Sequence, residues 1–192
     1  MRASRLHIVT YRDHPADAEI ASHRLMVRAG LIHKLGSGLY TYGPLMLRVM
    51  RRIEAVVREE MNAAGALEIQ MPILQERDLW EQSGRWEVYR ATGTMFTTTD
   101  RRETTYGLAP TAEEVVTDYA RATARSYRQL PLRLYQIHTK FRDELRPRFG
   151  LLRVKEFLMK DAYSFDVDEA GMDASFVAMR TAYSRIFRRL GL

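Results

Sequence analysis

Two strand-like segments joined by a short polar loop constrain the fold of this chain more than any other feature. Residues 132–143 lead into Phe141-Arg142-x-Glu144, and residues 154–165 contain the spacing Phe157-x-x-x-Asp161, preceded by Arg153. The loop at 145–152 is rich in arginine, proline and glycine. Strand-forming runs bounded by such a loop predict a pair of adjacent strands.

The residue types on this predicted pair suit a nucleotide. A guanidinium can fork onto a phosphate, a carboxylate can accept a hydrogen bond from an adenine amino group, and an aromatic ring can stack on the base. Arg142 lies in an otherwise apolar strand pattern, where a cation is costly unless it is paired. Because side chains two apart on a strand share a face, we predict that Arg142 and Glu144 point into one cleft near the Phe157 ring.

The rest of the chain predicts strands clustered between helical blocks. Helices are predicted at 16–34, 44–64, 76–82, 112–126 and 168–190, and further strands at 39–42, 67–72, 95–99 and 104–107. The helix at 44–64 has an apolar face formed by Val49, Ile53, Val56, Val57 and Met61. Without regular βαβ alternation, this order favours an α+β fold, a mostly antiparallel sheet flanked by helices.

Composition excludes several classes of protein and site. The 192 residues contain no cysteine, which excludes disulfides, thiolate zinc sites and cysteine nucleophiles. No apolar run is long enough to span a bilayer or to form a signal peptide, so we expect a cytoplasmic protein without a membrane partner. The five histidines show no metal-ligand spacing, and no metal site is predicted. The net charge of +6 is modest, and its basic residues cluster at 140–155. A solvated basic loop is the simplest explanation, but it is disfavoured because the arginines flank the Phe141-Arg142-x-Glu144 strand and do not run along one helix face.

The segment Thr111-Ala112-Glu113-Glu114 has a simple structural interpretation. Thr-x-x-Glu at a helix start is the pattern of a capping box, in which Thr111 accepts from a backbone amide and Glu114 reaches back. We therefore predict helix capping by Thr111 and Glu114, and this assignment leaves Glu113 free for another role.

Taken together, these residues resemble a class II aminoacyl-tRNA synthetase. The helix at 44–64 and the strand ending at Pro72 resemble motif 1, and the paired strands with their loop resemble motif 2. Within the class, the resemblance is to bacterial-type prolyl-tRNA synthetases and extends over essentially the whole chain. It is carried by the strings SGLYTYGP (37–44), LWEQSGRW (79–86), PTAEEV (110–115), QLPL (129–132), YQIHTKFRDELRPRFG (135–150) and EFLMKDAYSF (156–165).

The resemblance implies a class II catalytic fold that activates proline with ATP and transfers it to tRNA(Pro). It implies that Thr111, Glu113, Arg142 and Met159 bind proline, with Arg142 as the catalytic cation. It assigns ATP to Arg142, Glu144, Arg153, Phe157 and Asp161, with Mg²⁺ accompanying the nucleotide. The role of Asp161 could be limited to orienting Arg142 or Arg153. A homodimer through residues 44–72 is also implied.

Two departures from the family pattern qualify these expectations. Ala112 stands where the family usually has histidine, and motif 3, a glycine-rich strand and helix with another ATP-binding arginine, does not occur in the 192 residues. We therefore expect residues 1–192 to form the N-terminal part of a catalytic domain, without an editing or anticodon-binding domain and with poor activity alone. The alternatives are a non-catalytic module that binds proline or ATP or dimerises, and, less favoured, a basic RNA-binding domain.

Overall fold

The computed structural model describes residues 5–13, 15–16 and 18–192. The helices in this part of the chain are α1 (Ala21–Arg28), α2 (Pro44–Ala63), α3 (Arg77–Gln82), α4 (Trp86–Ala91), α5 (Glu113–Thr123) and α6 (Glu169–Leu190). The strands are β1 (Ile32–Gly36), β2 (Leu39–Tyr42), β3 (Leu67–Glu68), β4 (Leu74–Glu76), β5 (Thr97–Thr99), β6 (Thr105–Leu108), β7 (Leu132–Phe141) and β8 (Glu156–Phe165).

These strands form three small sheets with the orders β1-β2, β3-β7-β8 and β4-β6-β5. Every pairing is antiparallel except β3 with β7, which run parallel. The fold is therefore α+β with a mostly antiparallel sheet content, which confirms the predicted class.

The long β7–β8 pair is the centre of the molecule. All ten residues of each strand are in register, from Leu132 opposite Phe165 to Phe141 opposite Glu156. Residues directly opposite each other in an antiparallel pair project from the same face, so the register separates the side chains into two sets.

One face of the β7–β8 pair is packed against α2 and α6. Its buried cluster contains Met61 of α2, Tyr135 of β7 and Ala182 of α6, together with Ala66. We call this the helix-packed face. The Tyr135 hydroxyl donates to Asn62 Oδ1 at 2.9 Å, so its one polar atom is satisfied within the core.

The opposite face carries Leu134, Gln136 and Lys140 of β7 against Tyr163, Asp161 and Phe157 of β8. Helix α5 covers one end of it, where Leu134 packs with Ala112, Val116 and Met71. We call this the site face, because it also carries the predicted motif around Phe157.

The sheet β4-β6-β5 supports a second, smaller core. Trp80 and Trp86, on α3 and α4, are fully or almost fully buried and pack with Met95. The Trp80 indole donates to Gln75 Oε1 at 2.9 Å. Both tryptophans are therefore packing residues.

The predicted helix at 16–34 is wrong over much of its length. Only Ala21–Arg28 is helical, and Ile32–Gly36 is a strand that pairs with Leu39–Tyr42 across the Ser37-Gly38 turn. Gly30 explains the break: its φ is +63°, and a Cβ there would lie 1.8 Å from the Val9 carbonyl oxygen. The part of this prediction that falls on Asp17 lies outside the described residues.

The predicted strand at 67–72 is too long. The strand paired with β7 ends at Glu68. One further hydrogen bond follows it, from the Ile69 amide to the Tyr135 carbonyl at 2.8 Å. Beyond it, the Gln136 side chain accepts from the Met71 amide at 3.3 Å and takes the place of a backbone partner. Strands β1 and β4 and helix α4 were not predicted. Apart from α1 and β3, the other helices and strands match within a few residues. No helix in the described part of the chain combines the length and the hydropathy that crossing a bilayer requires.

Candidate functional site

Arg142 lies one residue beyond the end of β7. Its backbone amide still donates to the Lys155 carbonyl at 2.9 Å, which fixes the start of the side chain. The guanidinium carbon lies 5.4 Å from the centre of the Phe157 ring, and Nε donates to the Pro110 carbonyl at 3.3 Å. These two contacts leave the terminal nitrogens available for an anion next to an aromatic face.

Glu144 and Arg153 pair with each other across the loop. Arg153 Nη2 lies 2.7 Å from Glu144 Oε1. The hydrogen bond from Arg153 is the main cause that lowers the pKa of the Glu144 carboxyl, so the carboxyl is ionised near neutral pH. Because Arg153 is about half exposed, water screens this pair and a ligand can compete for either partner.

The loop that contains both residues rests on the β1–β2 hairpin. The Lys155 amide donates to the Gly38 carbonyl at 2.9 Å. Gly38 has a φ of +74°, and a Cβ there would lie 2.8 Å from Pro147. The hairpin turn therefore approaches the loop as closely as only glycine allows.

The turn before α5 brings a hydroxyl and a carboxylate beside Arg142. Arg142 contacts the carbonyl of Pro110, and the Thr111 hydroxyl donates to Glu113. Thr111 is partly exposed and Glu113 is largely exposed, so a ligand in solution can reach both side chains. The Glu113 carboxylate thus lies three residues along the chain from the carbonyl that Arg142 contacts.

Glu114 points the other way, into the protein. Its carboxylate is almost fully buried, lies 3.1 Å from Arg85 Nη1 and accepts from the Ser83 hydroxyl at 2.9 Å. Arg85 also lies 3.5 Å from Glu113, and its guanidinium carbon lies 5.5 Å and 5.0 Å from the centres of the Trp80 and Tyr89 rings. The start of α5 is therefore anchored to the α3–α4 region by charge.

A buried polar cluster lies on the site face behind the cleft. Asp161 Oδ2 accepts from the Tyr163 hydroxyl at 2.7 Å and from Gln136 Nε2 at 2.9 Å. Lys140 Nζ lies 3.1 Å from Asp161 Oδ1, which is an ion pair by distance without the geometry of a directed hydrogen bond. Burial is the main cause that raises the pKa of Tyr163, with Asp161 adding to it, so the phenol stays protonated.

Comparison with protein families decides what kind of site this is. Residues 96–192, about half of the chain, match the family described as tRNA synthetase class II core domain (G, H, P, S and T). The chain belongs to this family. The matched residues include the 111–114 turn, the β7–β8 pair and the loop between its strands, so the cleft described above lies within the family's core domain.

Curated proteins in the same class are similar over all 192 residues. The chain is 60% identical to a proline–tRNA ligase of Bordetella pertussis and 59% identical to one of Nitratidesulfovibrio vulgaris. In both comparisons the whole of this chain is aligned, but it spans only about a third, 33%, of the relative's length.

A solved structure has the same fold. The prolyl-tRNA synthetase of Cryptosporidium parvum, solved as a complex with L-proline and AMP, superposes with a TM-score of 0.74 at 20% identity. The comparison covers 86% of this chain and 33% of that one. It supports the class II core fold of the chain.

The structure brings most of the predicted site residues together in this core. Phe157 lies beside Arg142, as predicted, and Met159 and Asp161 follow it on the same face of β8. The prediction that Arg142 and Glu144 lie on one strand is wrong, because β7 ends at Phe141 and Glu144 lies in the following turn. Glu144 faces Arg153 instead of Arg142.

Two further expectations are corrected by the contacts. The capping box is wrong: Ala112 is the N-cap of α5 without a side-chain cap, Thr111 bonds Glu113, and Glu114 pairs with Arg85. The expectation that Asp161 orients Arg142 or Arg153 is also wrong, because its carboxylate contacts Lys140, Gln136 and Tyr163.

Sequence reasoning missed Lys140, Gln136 and Tyr163 around Asp161, and Arg85 beside Glu114. Lys140 was counted only as part of a basic cluster, although its place in a strand segment predicted to be largely apolar was a signal of burial and pairing. Arg85 gave no such signal, because its partners on α5 lie 28 or more residues away in sequence.

Proposed function

We propose that this chain provides the amino-acid and ATP sites of a proline–tRNA ligase, which forms prolyl-adenylate and then transfers the prolyl group to tRNA(Pro). The observation that carries the proposal is identity of about 60% along the whole chain to proline–tRNA ligases. The contact of Arg142 with the carbonyl of Pro110, next to Thr111 in the chain, supports it, because it places a cation beside the turn that carries the Glu113 carboxylate.

In this proposal the proline ammonium binds at Thr111 and Glu113. A secondary ammonium has two N–H donors and a positive charge, and both need partners once water is excluded. Glu113 supplies the charge, and Thr111 holds its carboxylate in place through a hydrogen bond. Met159, partly buried on the same face as Phe157, is the proposed apolar wall for the pyrrolidine ring.

The nucleotide is proposed to bind between Arg142, Phe157, Glu144 and Arg153. Phe157 would stack on adenine, and Glu144 would accept from the adenine amino group. Arg153 would then turn from Glu144 to a phosphate, a change that the exposure of this ion pair permits.

The proposed reaction requires no general base. The proline carboxylate, already ionised near neutral pH, attacks the α-phosphorus of ATP. A new bond forms between a carboxylate oxygen and phosphorus, the bond to the bridging oxygen of the β-phosphate breaks, and pyrophosphate leaves with the electron pair. Arg142 would place both anions in line and neutralise the charge that grows on the α-phosphate.

Mg²⁺ is proposed to enter with ATP. In the described part of the chain, no three histidine or acidic side chains converge as a metal site would require. Glu144, the acid closest to the proposed phosphate ligands, is held by Arg153. The phosphates themselves are therefore the proposed main ligands of the ion, which would offset their negative charge.

The test is proline-dependent exchange of pyrophosphate into ATP. It should be run on this chain and on a fusion that adds the remaining two thirds of the Bordetella pertussis relative. We propose that residues 1–192 supply motifs 1 and 2 of the catalytic domain, so we expect strong exchange in the fusion and weak exchange in this chain. Threonine and serine are the matched controls, because both are substrates within the same family description.

Exchange with threonine or serine in place of proline would contradict the assignment, and so would an inactive fusion that is folded. Binding of proline or ATP without exchange in either protein would favour the alternative of a non-catalytic binding module.

We also propose a homodimer through residues 44–72. On α2, Val49 and Ile53 of the predicted apolar face are 45% and 39% exposed, and Leu47 is 40% exposed. Val49 and Ile53 are one turn apart, and exposed apolar neighbours on a helix favour an interface. We expect the double variant Val49→Glu, Ile53→Glu to sediment as a monomer and the wild type as a dimer, with Leu25→Glu on α1 as the control. A monomeric wild type at micromolar concentration would contradict this proposal.

A further inference from the structure

Lys140 is among the most deeply buried charged side chains in the described part of the chain. It is 1% exposed, whereas most lysines lie in water. Its ammonium is 3.1 Å from Asp161 Oδ1, and the Asp161 side chain is itself only 10% exposed. A buried ion pair of this kind adds little stability compared with apolar packing, because both charges lose their hydration. Its presence on the site face therefore needs a reason other than stability.

The second oxygen of Asp161 supplies that reason. Oδ2 accepts from the Tyr163 hydroxyl at 2.7 Å and from Gln136 Nε2 at 2.9 Å. A phenol that donates its only hydrogen to a carboxylate presents its oxygen lone pairs elsewhere. The Ala112 amide donates to that oxygen at 3.3 Å.

Ala112 lies between the two residues proposed to bind the amino acid. It is 1% exposed, so its amide has no access to water and depends on the Tyr163 oxygen. The position of Thr111 and Glu113 is thus connected to Asp161 through one tyrosine and one backbone amide.

We propose that Lys140 is a positioning residue for the proline subsite: by neutralising Asp161 it fixes the Tyr163 hydroxyl, which holds the Ala112 amide and with it the Thr111–Glu113 turn. This inference rests on the proposed function, and it transfers Asp161 from the nucleotide side of the site to the amino-acid side. Phe157 lies opposite Lys140 in the strand register, but neither Phe157 nor Arg142 bonds to Asp161, Tyr163 or Ala112, so the effect should fall on proline more than on ATP.

Lys160 provides a matched control on the same strand pair. It is a partly buried lysine on the helix-packed face, where its ammonium lies 3.9 Å from the centre of the Tyr183 ring and donates to the Tyr183 hydroxyl. Lys160→Met removes one ammonium from the sheet, as Lys140→Met does, but it leaves the contacts among Asp161, Tyr163 and Ala112 in place.

The first measurement is amide hydrogen exchange by NMR on the 192-residue chain. A buried amide that loses its acceptor is destabilised by the equivalent of roughly 10- to 100-fold in an equilibrium constant. We therefore expect the exchange protection of Ala112 to fall by that factor in Lys140→Met and in Asp161→Asn, and to fall no further in the double variant. Lys160→Met should leave Ala112 unchanged. Unchanged protection of Ala112 in Lys140→Met would overturn the proposal, even if Asp161→Asn had an effect.

The second measurement is the Michaelis constant for proline and for ATP. It uses whichever protein, this chain or its fusion with the Bordetella pertussis relative, shows pyrophosphate exchange. Lys140→Met should raise the KM for proline by roughly 10-fold or more, by the same loss of an acceptor, with the KM for ATP within about twofold. An equal rise in both constants would overturn the positioning role and leave a purely structural one. Lack of exchange in the wild-type forms would remove the proposed function, and the Ala112 measurement would still decide whether Lys140 controls the turn.

Discussion

The two faces of the β7–β8 pair are built from the same two strands but hold their partners in different ways. The helix-packed face meets α2 and α6 through a cluster of Met61, Tyr135 and Ala182. The site face places Lys140, Gln136 and Asp161 at positions that are almost as well buried. Burial of apolar area stabilises a fold without fixing exact positions, whereas a hydrogen-bonded cluster fixes positions at a cost in stability. Stability and site geometry are therefore separated across one sheet.

The largest expected effect concerns stability on the helix-packed face. Met61 is fully buried, so Met61→Ala should lower the free energy of unfolding by about 2–5 kcal/mol, as large-to-small core substitutions do. Met159→Ala is the control from the site face and should cost clearly less, because Met159 is partly exposed and water can fill the space. Urea unfolding of both variants measures the difference. Equal losses would show that the two faces contribute to stability alike and would break the comparison.

The next effect concerns activity on the site face. Arg142→Ala should reduce pyrophosphate exchange by roughly 10²–10³-fold, the usual cost of losing one preorganised donor to a developing charge. The urea midpoint should hardly change, since within the described part of the chain the Arg142 side chain makes one hydrogen bond, to Pro110, and one ring contact, with Phe157. Arg101→Ala, in the exposed 100–103 turn, is the charge-matched control. Retained exchange in Arg142→Ala would remove Arg142 from the proposed chemistry.

The sequence predicts the helices and strands of this molecule better than it predicts the long-range contacts between them. The β7–β8 pair and α6 follow from local patterns, namely strand-forming runs around a loop and Asp168 as a helix N-cap, and both were predicted within a few residues. The capping box at Thr111 failed because Arg85, distant in sequence, takes the carboxylate that the local motif would have used. Likewise, the first helix was predicted too long because Val9 approaches Gly30.

The candidate site shows the same limit. The pattern around Phe157 and Arg142 was sufficient to place them together, because strand register is a local property. The partners of Asp161 were not predicted, because they depend on which of several cations and hydroxyls reaches a buried carboxylate. Long-range polar contacts of this type decide the detailed geometry of the site and leave little trace in a single sequence.

A smaller effect on the Michaelis constants distinguishes the proposed proline half of the site from the proposed nucleotide half. Glu113→Gln removes the charge proposed to meet the proline ammonium and keeps the shape of the side chain. We expect the KM for proline to rise roughly 10-fold, the equivalent of about 1.4 kcal/mol, with the KM for ATP unchanged. Glu87→Gln, a largely exposed residue of α4, is the matched control. A rise in the KM for ATP instead would place Glu113 in the nucleotide half.

The smallest expected effect concerns the pH dependence of stability, and it compares Lys160 with Lys140. Burial is the main cause that lowers the pKa of Lys160 to about 8 from its ordinary 10.5, with Asp161 opposing the shift. Between these two values the unfolded chain binds more protons than the folded chain, so this residue makes stability rise with pH across that window. Below pH 8 both states hold the proton, and the cost of burying the charge is present in full. Lys160→Met removes this cost, so the variant should exceed the wild type in stability most at pH 7 and progressively less between pH 8 and 10.

The difference between variant and wild type is the quantity to measure, because tyrosines such as Tyr183, with a pKa raised mainly by burial, change the stability of both proteins at higher pH. Urea unfolding at half-unit steps from pH 7 to 9.5 is sufficient. Lys140→Met should behave in the opposite way at pH 7, since it leaves Asp161 buried without its cation, and this costs stability. If both substitutions stabilise the chain, Lys140 is as dispensable as Lys160, and the site face does not differ from the helix-packed face in the way described.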